Sequence, residues 1–342
     1  MGSGGPVRAS SASDSDSASA SDSASDSDSA SASDSASDSD SASASPSVLG
    51  AASSISALLA ALPWLAIGCG GRGAGDAGGT STDAVSRYDA GAGPVDAGAA
   101  PGGVWRPLPG TSWQWQLQGI VDTSFDVQVY DIDLFDVPEP TIAALHAAGR
   151  IVVCYFSAGS LEDWREDAGA FVPADAGNPL AGWPGETWLD TRSANVRAVM
   201  RARLDMAGKK GCDGVEPDNV DGYANDSGFP LTAADQLDYD RFLATEAHAR
   251  ALSAGLKNAT DLVPDLEPDF DWALNEECLA FAECATEAPF LAAGKAVFHV
   301  EYVNDCAGGP ALASSVCGDP TAAGFSTLVK TWDLDAWRLA CP

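Results

Sequence analysis

Between Trp113 and Thr331, short runs rich in β-branched and aromatic residues alternate with longer stretches of helical period. This alternation limits the open architectures more than any other feature of the chain. Strands are predicted near Trp113–Gly119, Val127–Asp131, Ile151–Ser157, Gly214–Asp218, Gly255–Asn258, Phe270–Asn275, Ala296–Glu301 and Phe325–Thr331. Of the helical stretches, Pro138–Ala148 opens on a proline, which suits a first turn, and stops before Gly149. Ala194–Gly208 repeats apolar residues at Val196, Val199, Met200 and Leu204, the period of one buried helix face. Thr232–Ser253 begins on a good N-cap residue and has Gly255 just beyond it. Eight strands with intervening helices predict an α/β fold, a (β/α)8 barrel of the TIM type. An open doubly wound sheet is the alternative. No glycine-rich phosphate loop follows the first strand, so a nucleotide-binding version has little support.

The N-terminal third has a different character. Residues 11 to 47 are almost wholly Ser, Ala and Asp. Such a segment cannot bury enough apolar surface to offset the entropy of ordering it. Residues 1–47 are therefore expected to be a disordered tract that is no part of the mature protein. Residues 48–69 form an apolar, small-residue run ending in Gly68-Cys69-Gly70. They resemble an export signal with a lipoprotein cleavage site, Cys69 being the lipidated residue. The basic start is thin, with only Arg8 before it. Residues 70–104 are mainly Gly, Ala, Asp, Pro and Ser, a flexible tether. The folded domain is expected over residues 105–342, outside the cytoplasm, with the membrane reached only through the lipid anchor.

The formal charge of −31 disfavours nucleic acid and anionic membrane as partners and favours a neutral or cationic substrate. Apart from Cys69 there are seven cysteines, and an exported chain is expected to pair them. Cys278 and Cys284 are close enough to close a small loop, and Cys154 with Cys212 is a second candidate pair. Cys306, Cys317 and Cys341 compete for one C-terminal bridge. The three histidines are scattered singly and no Cys-x-x-Cys occurs, so no metal or other cofactor is expected.

Polar residues gather where the predicted strands stop, the place where barrel enzymes carry their chemistry. The run Gly211–Tyr223 offers Glu216, Asp218 and Asp221, with Asn219 beside them. Side chains alternate on a strand, so Glu216 and Asp218 share a face. Leu274–Cys278 offers Glu276 and Glu277. Asp131 and Asp133, Lys257 and Asn258, and Glu301 and Tyr302 end three further strands. Two carboxyl groups facing one bond are the minimal equipment for cleaving a glycosidic link. The excursion Leu161–Asp190 adds Trp164, Trp183 and Trp188 next to Glu186. Long insertions are commonly functional, and flat aromatic faces beside acids suit sugar rings.

Seven segments, CYFSAGSLEDWRED (154–167), NPLAGWPGETWLDTRSANV (178–196), KGCDGVEPDNVDGY (210–223), LTAADQLDYDRFLA (231–244), GLKNA (255–259), LNEEC (274–278) and GKAVFHVEY (294–302), resemble glycoside hydrolase family 114, the endo-α-1,4-polygalactosaminidases. The resemblance covers about Trp113 to Tyr302. It implies a TIM barrel and catalytic acids at Asp218 and Glu276. The other strand-end residues, with Tyr155, Ser157, Glu186 and Trp188, become candidates for substrate binding. The implied substrate is a cationic galactosaminan, cut internally by a monomeric enzyme. A non-catalytic carbohydrate-binding surface protein on the same barrel is the alternative, though a binder would not need both acids.

Overall fold

The structure, a computed structural model, describes residues 103–342. The Ser-Asp tract, the apolar segment with Cys69 and all but the last residues of the tether lie outside the described residues. The elements are β1 (Trp113–Gln116), β2 (Val129–Asp133), α1 (Glu139–Ala147), β3 (Ile151–Ser157), β4 (Ser160–Glu162), β5 (Ala176–Pro179), β6 (Glu186–Leu189), α2 (Ala194–Lys210) and β7 (Gly214–Asp218). After them come α3 (Ala233–His248), β8 (Ser253–Lys257), α4 (Val263–Leu266), β9 (Trp272–Glu276), α5 (Ala288–Ala292), β10 (Val297–Val303), α6 (Gly309–Val316), β11 (Ser326–Thr331) and β12 (Leu339–Ala340). Among the described residues, no helix is long and apolar enough to cross a membrane.

Strands β1, β2, β3, β7, β8, β9, β10 and β11 pair in parallel in that order, the eight staves of a TIM-type barrel. At the seam between β11 and β1 the C-terminal segment does the joining. β12 lies antiparallel on β11. The Leu117 amide donates to the Leu334 carbonyl at 2.9 Å, and Arg338 Nη1 donates to the Trp113 carbonyl at 2.7 Å. This is why β1 stops at Gln116 rather than reaching the predicted Gly119: its next amides turn to the closing segment. β2 sits two residues later than predicted, which leaves Asp131 mid-strand and puts Asp133 at the end.

Side chains on each stave alternate between two cores. Cys154 and Phe156 of β3 face outward with Leu204 of α2 and Leu243 of α3. Val153 faces inward with Trp113, Trp115, Trp272 and Phe298. Phe298 lies 4.6 Å from Trp113 and 5.3 Å from Trp272, ring centre to ring centre. Gly255 makes room for this packing, because a Cβ there would come within 2.3 Å of the Trp272 indole. Each buried indole contributes on the order of 4 kcal/mol from the surface it removes from water. Their N–H groups are satisfied too: Trp113 donates to the Ser326 carbonyl and Trp272 to Ser253 Oγ, each at 2.9 Å.

The helices begin where capping chemistry allows. The Ser193 side chain accepts from the Asn195 and Val196 amides, and Thr232 with Asp235 forms a reciprocal capping box. Disulfides brace the domain: Cys154–Cys212 ties β3 to the turn before β7, Cys278–Cys284 closes the loop after β9, and Cys317–Cys341 fastens the end of the described chain to α6. The excursion between β3 and α2 forms its own antiparallel sheet in the order β4-β6-β5. It stands as an arm beside the C-terminal ends of the staves.

Candidate active site

Three neighbouring staves end alike. Asp218 closes β7, Lys257 closes β8 and Glu276 closes β9, and the next residues, Asn219, Asn258 and Glu277, have φ values of 60°, 47° and 61°. Left-handed backbone is tolerated by asparagine and costs roughly 1 kcal/mol or more for a residue such as glutamate. These turns fold the chain sharply away, leaving the last side chain of each strand pointing into the mouth of the barrel.

The two acids are held in matching cradles. Asp218 accepts the Tyr155 hydroxyl on Oδ2 at 3.0 Å and the Asn219 amide on Oδ1 at 2.7 Å. Glu276 accepts the Tyr302 hydroxyl on Oε1 and Asn258 Nδ2 on Oε2 at 3.1 Å. Lys257 Nζ lies between them, 3.4 Å from Asp218 Oδ1 and 3.3 Å from Glu276 Oε2. Burial, together with the adjoining carboxylates, pushes both tyrosines well above the ordinary phenol range, so they remain hydrogen-bond donors.

Below this layer, Lys257 Nζ donates to Glu216 Oε1 at 2.7 Å, and Trp115 Nε1 donates to Glu216 Oε2 at 3.0 Å. Burial works against the lysine charge, but the carboxylates of Asp218, Glu216 and Glu276 outweigh it and hold the amine well above its ordinary value. Asp131 is buried next to Glu216, and neither of its oxygens has a donor. Burial first, then the charge of Glu216, pushes its pKa well up. Asp131 is therefore the protonated member of the pair, its hydrogen directed at Glu216.

A cavity of about 490 Å³ opens above these groups. Its walls include Asp218, Glu276, Asp133, Tyr155, Glu186, Trp188, Asn219, Asp221, Lys257, Asn258 and Tyr302. Four sequence candidates lie elsewhere. Asp131 and Glu216 are under the floor, and Ser157 is buried, accepting Asn219 Nδ2 at 2.9 Å. Glu301 faces the outer core: it accepts from the Leu279 amide at 2.8 Å and contacts His299 Nε2 at 3.0 Å. Inward positions on β10 belong to Phe298, Val300 and Tyr302, so the parity of that strand excludes Glu301 from the cavity. Trp188 is only 5% exposed and packs against Gly222, a wall rather than an open face.

A hydrogen-bond line joins the arm to the acids. Ser160 Oγ donates to Glu186 Oε2 at 2.6 Å, Ser157 and Ser160 hydroxyls meet at 2.6 Å, and Asn219 donates to Ser157. Burial raises Glu186 to about 7 and Asp221 to about 6, so both change charge near neutrality.

Sequence reasoning missed Arg165 and Trp332. Arg165 lines the cavity and is pinned by Asp133 at 2.6 Å and Glu162 at 2.8 Å. Trp332 stacks on Tyr302 with centroids 4.0 Å apart. Its signal was an aromatic directly after the last barrel strand, the same position after β11 that the acids' turns occupy elsewhere.

Comparison with known proteins agrees with this geometry. A family model for glycoside-hydrolase family GH114 matches residues 95–342. The crystal structure of Aspergillus fumigatus Ega3 in complex with galactosamine is 48% identical, covering 70% of this chain and 98% of that one, with a TM-score of 0.68. The glycoside hydrolase domain of PelA from Pseudomonas aeruginosa is 14% identical over 67% of this chain and 98% of its own, with a TM-score of 0.55, and shares the fold. None of the curated proteins is similar to the chain in sequence. An acid-lined cleft at the C-terminal mouth of a TIM barrel, a family match over the whole described domain and close identity to a solved member lead to one conclusion: the chain belongs to glycoside hydrolase family 114 and is a glycoside hydrolase.

Proposed function

We propose that this enzyme cuts α-1,4-linked galactosamine-containing polysaccharide within the chain, with Asp218 and Glu276 as the two working carboxyls. The observation that carries the catalytic part is the shared ammonium: both acids reach Lys257 Nζ at the open mouth of the barrel. One carboxyl would protonate the leaving oxygen while the other faces the anomeric carbon. An inverting enzyme needs about 6.5–9.5 Å between its carboxyls for a water, whereas a covalent route needs about 5–5.5 Å. Two oxygens each within 3.4 Å of one nitrogen are compatible with either separation, so the anomer of the product decides the route.

The substrate class rests on the 48% identical relative, solved with galactosamine. It also fits the charge of the site, since the cavity walls carry Asp133, Asp136, Glu162, Glu186, Asp218, Asp221 and Glu276 against Arg165 and Lys257. That surplus attracts the ammonium groups of a deacetylated aminosugar chain. The disulfides fit an exported enzyme, and lipidation at Cys69 is part of the same proposal.

The test is turnover of galactosamine oligomers by Asp218→Asn and Glu276→Gln. Each keeps shape and removes ionisation, and each should lower kcat by about 10²–10⁴-fold with the melting temperature nearly unchanged. Either folded variant cleaving at the parental rate would refute the assignment. Product anomers followed by NMR decide retention.

A further inference from the structure

Two tryptophans on the arm stand out by their exposure. Trp164 is 55% exposed and Trp183 51%, while Trp188 on the same arm is 5% exposed and anchors it. Large indoles left in water are uncommon on a lone domain, and a pair on the turns of one small arm lining one cavity calls for a ligand.

Both residues sit on backbone that is fixed locally. Trp183 lies in a turn in which its amide donates to the Leu180 carbonyl at 3.2 Å and its own carbonyl accepts the Glu186 amide at 3.1 Å. Trp164 lies across Gly185, whose φ is +94° and whose missing Cβ would sit 2.9 Å from the indole. The Asp163 amide bonds the Gly185 carbonyl at 3.0 Å and fixes that crossing. The backbone that carries both indoles is thus set before any ligand arrives, which lowers the entropy lost on binding.

Their surroundings identify the occupant. Trp164 and Trp183 line the same cavity as Asp218 and Glu276, so whatever meets them is continuous with what lies at the acids. Glu186 and Glu162 are on the same wall, and the arginine between them, Arg165, is already neutralised by Asp133 and Glu162. A flat apolar face with a carboxyl at its edge suits a hexosamine ring: the C–H face lies on the indole and the ammonium reaches the acid.

We propose that Trp164 and Trp183 form a distal subsite that grips a galactosamine ring of the polymer beyond the point of scission. The inference rests on the galactosaminan reading and adds to it: this arm sets how far along the chain the enzyme holds its substrate. It is a binding element and takes no part in bond cleavage.

The test compares kcat/KM on galactosaminan polymer and on a short galactosamine oligomer, using the full chain and its Trp164→Ala, Trp183→Ala and double variants. Phe281→Ala serves as a control, since Phe281 is 46% exposed but lies off the cavity. The polymer-to-oligomer ratio should fall about tenfold in the double variant, equivalent to about 1.4 kcal/mol of lost distal binding. It should stay at the parental value in Phe281→Ala. A parental enzyme that cleaves the polymer while the double variant keeps the parental ratio overturns the subsite alone. A ratio lowered equally by Phe281→Ala also overturns it. A parental enzyme inert toward both substrates overturns the galactosamine reading, and the subsite falls with it.

Discussion

The ammonium of Lys257 faces Glu216, Asp218 and Glu276 in a space where the lysine itself is almost wholly closed to water. Taking away one partner of such a cluster leaves the others buried and uncompensated, a cost of about 3–5 kcal/mol. Lys257→Met should therefore destabilise the domain strongly, and the loss should depend on pH. Burial already favours the protonated form of Glu216, and Lys257 opposes that tendency. Without the cation, Glu216 in the folded state holds its proton to higher pH than it does unfolded. Stability is then retained below the ordinary carboxyl range and lost as pH rises. The melting temperature of Lys257→Met should fall far more at pH 8 than at pH 5. An equal drop at both would show that the lysine acts through packing alone. The residues that sequence alone brought to notice and those it misplaced differ by a simple physical cause. Asp218 and Glu276 were legible because each ends an apolar run. Glu301 was not, because β10 is covered on both faces, by Trp113 and Trp272 inside and by Phe290 of α5 outside, so hydrophobic pattern does not fix which parity faces in.

At the level of elements, the loop from β9 to α5 stores an acid of its own. Glu287 is fully buried, accepts Asn275 Nδ2 at 3.4 Å, and leaves its Oε2 and the Asn275 Oδ1 without a donor. Burial raises its pKa to about 8. The proton it holds at neutral pH is the hydrogen that these two acceptors lack. The linkage follows: stability from this group is complete below about 4.5 and is lost as pH rises through about 8. Glu287→Gln carries a permanent donor in the same shape. It should raise the melting temperature by several degrees at pH 9 and leave it close to parental at pH 4, checked by thermal unfolding across that range. A gain of the same size at both pH values would rule out titration of Glu287 as the cause. The elements themselves were largely legible: α2 and α3 start at Ser193 and Thr232 because those side chains cap, and local chemistry of that kind is visible in sequence. The arm was seen only as an excursion. Its sheet, β4-β6-β5, depends on pairing between segments whose apolar pattern is too short to announce a strand.

For the molecule as a whole, the seam is the point on which closure depends. Eight parallel staves were expected and found, but the joint between the last and the first is made by residues 332–340, with Cys341 locked to Cys317. A chain ending at Thr331 loses the Leu334 and Arg338 contacts to β1 and the disulfide together. It should fail to give the near-ultraviolet dichroism of packed tryptophans, while Cys341→Ser should fold with a lowered melting temperature. If the truncated chain melts like the parent, the seam contributes nothing. The seam also sets an order of events in time. A ribosome releases β1 long before the segment that will lie beside it, and Trp113 must wait some two hundred residues for the Ser326 carbonyl that satisfies its indole. Because Trp332, which backs Tyr302 in the cavity wall, arrives on that same closing stretch, the cleft cannot be completed before the seam is made. Until then the growing polypeptide has an open seam and an unsealed tryptophan-rich interior, so closure of the fold and completion of the cleft fall at the same moment.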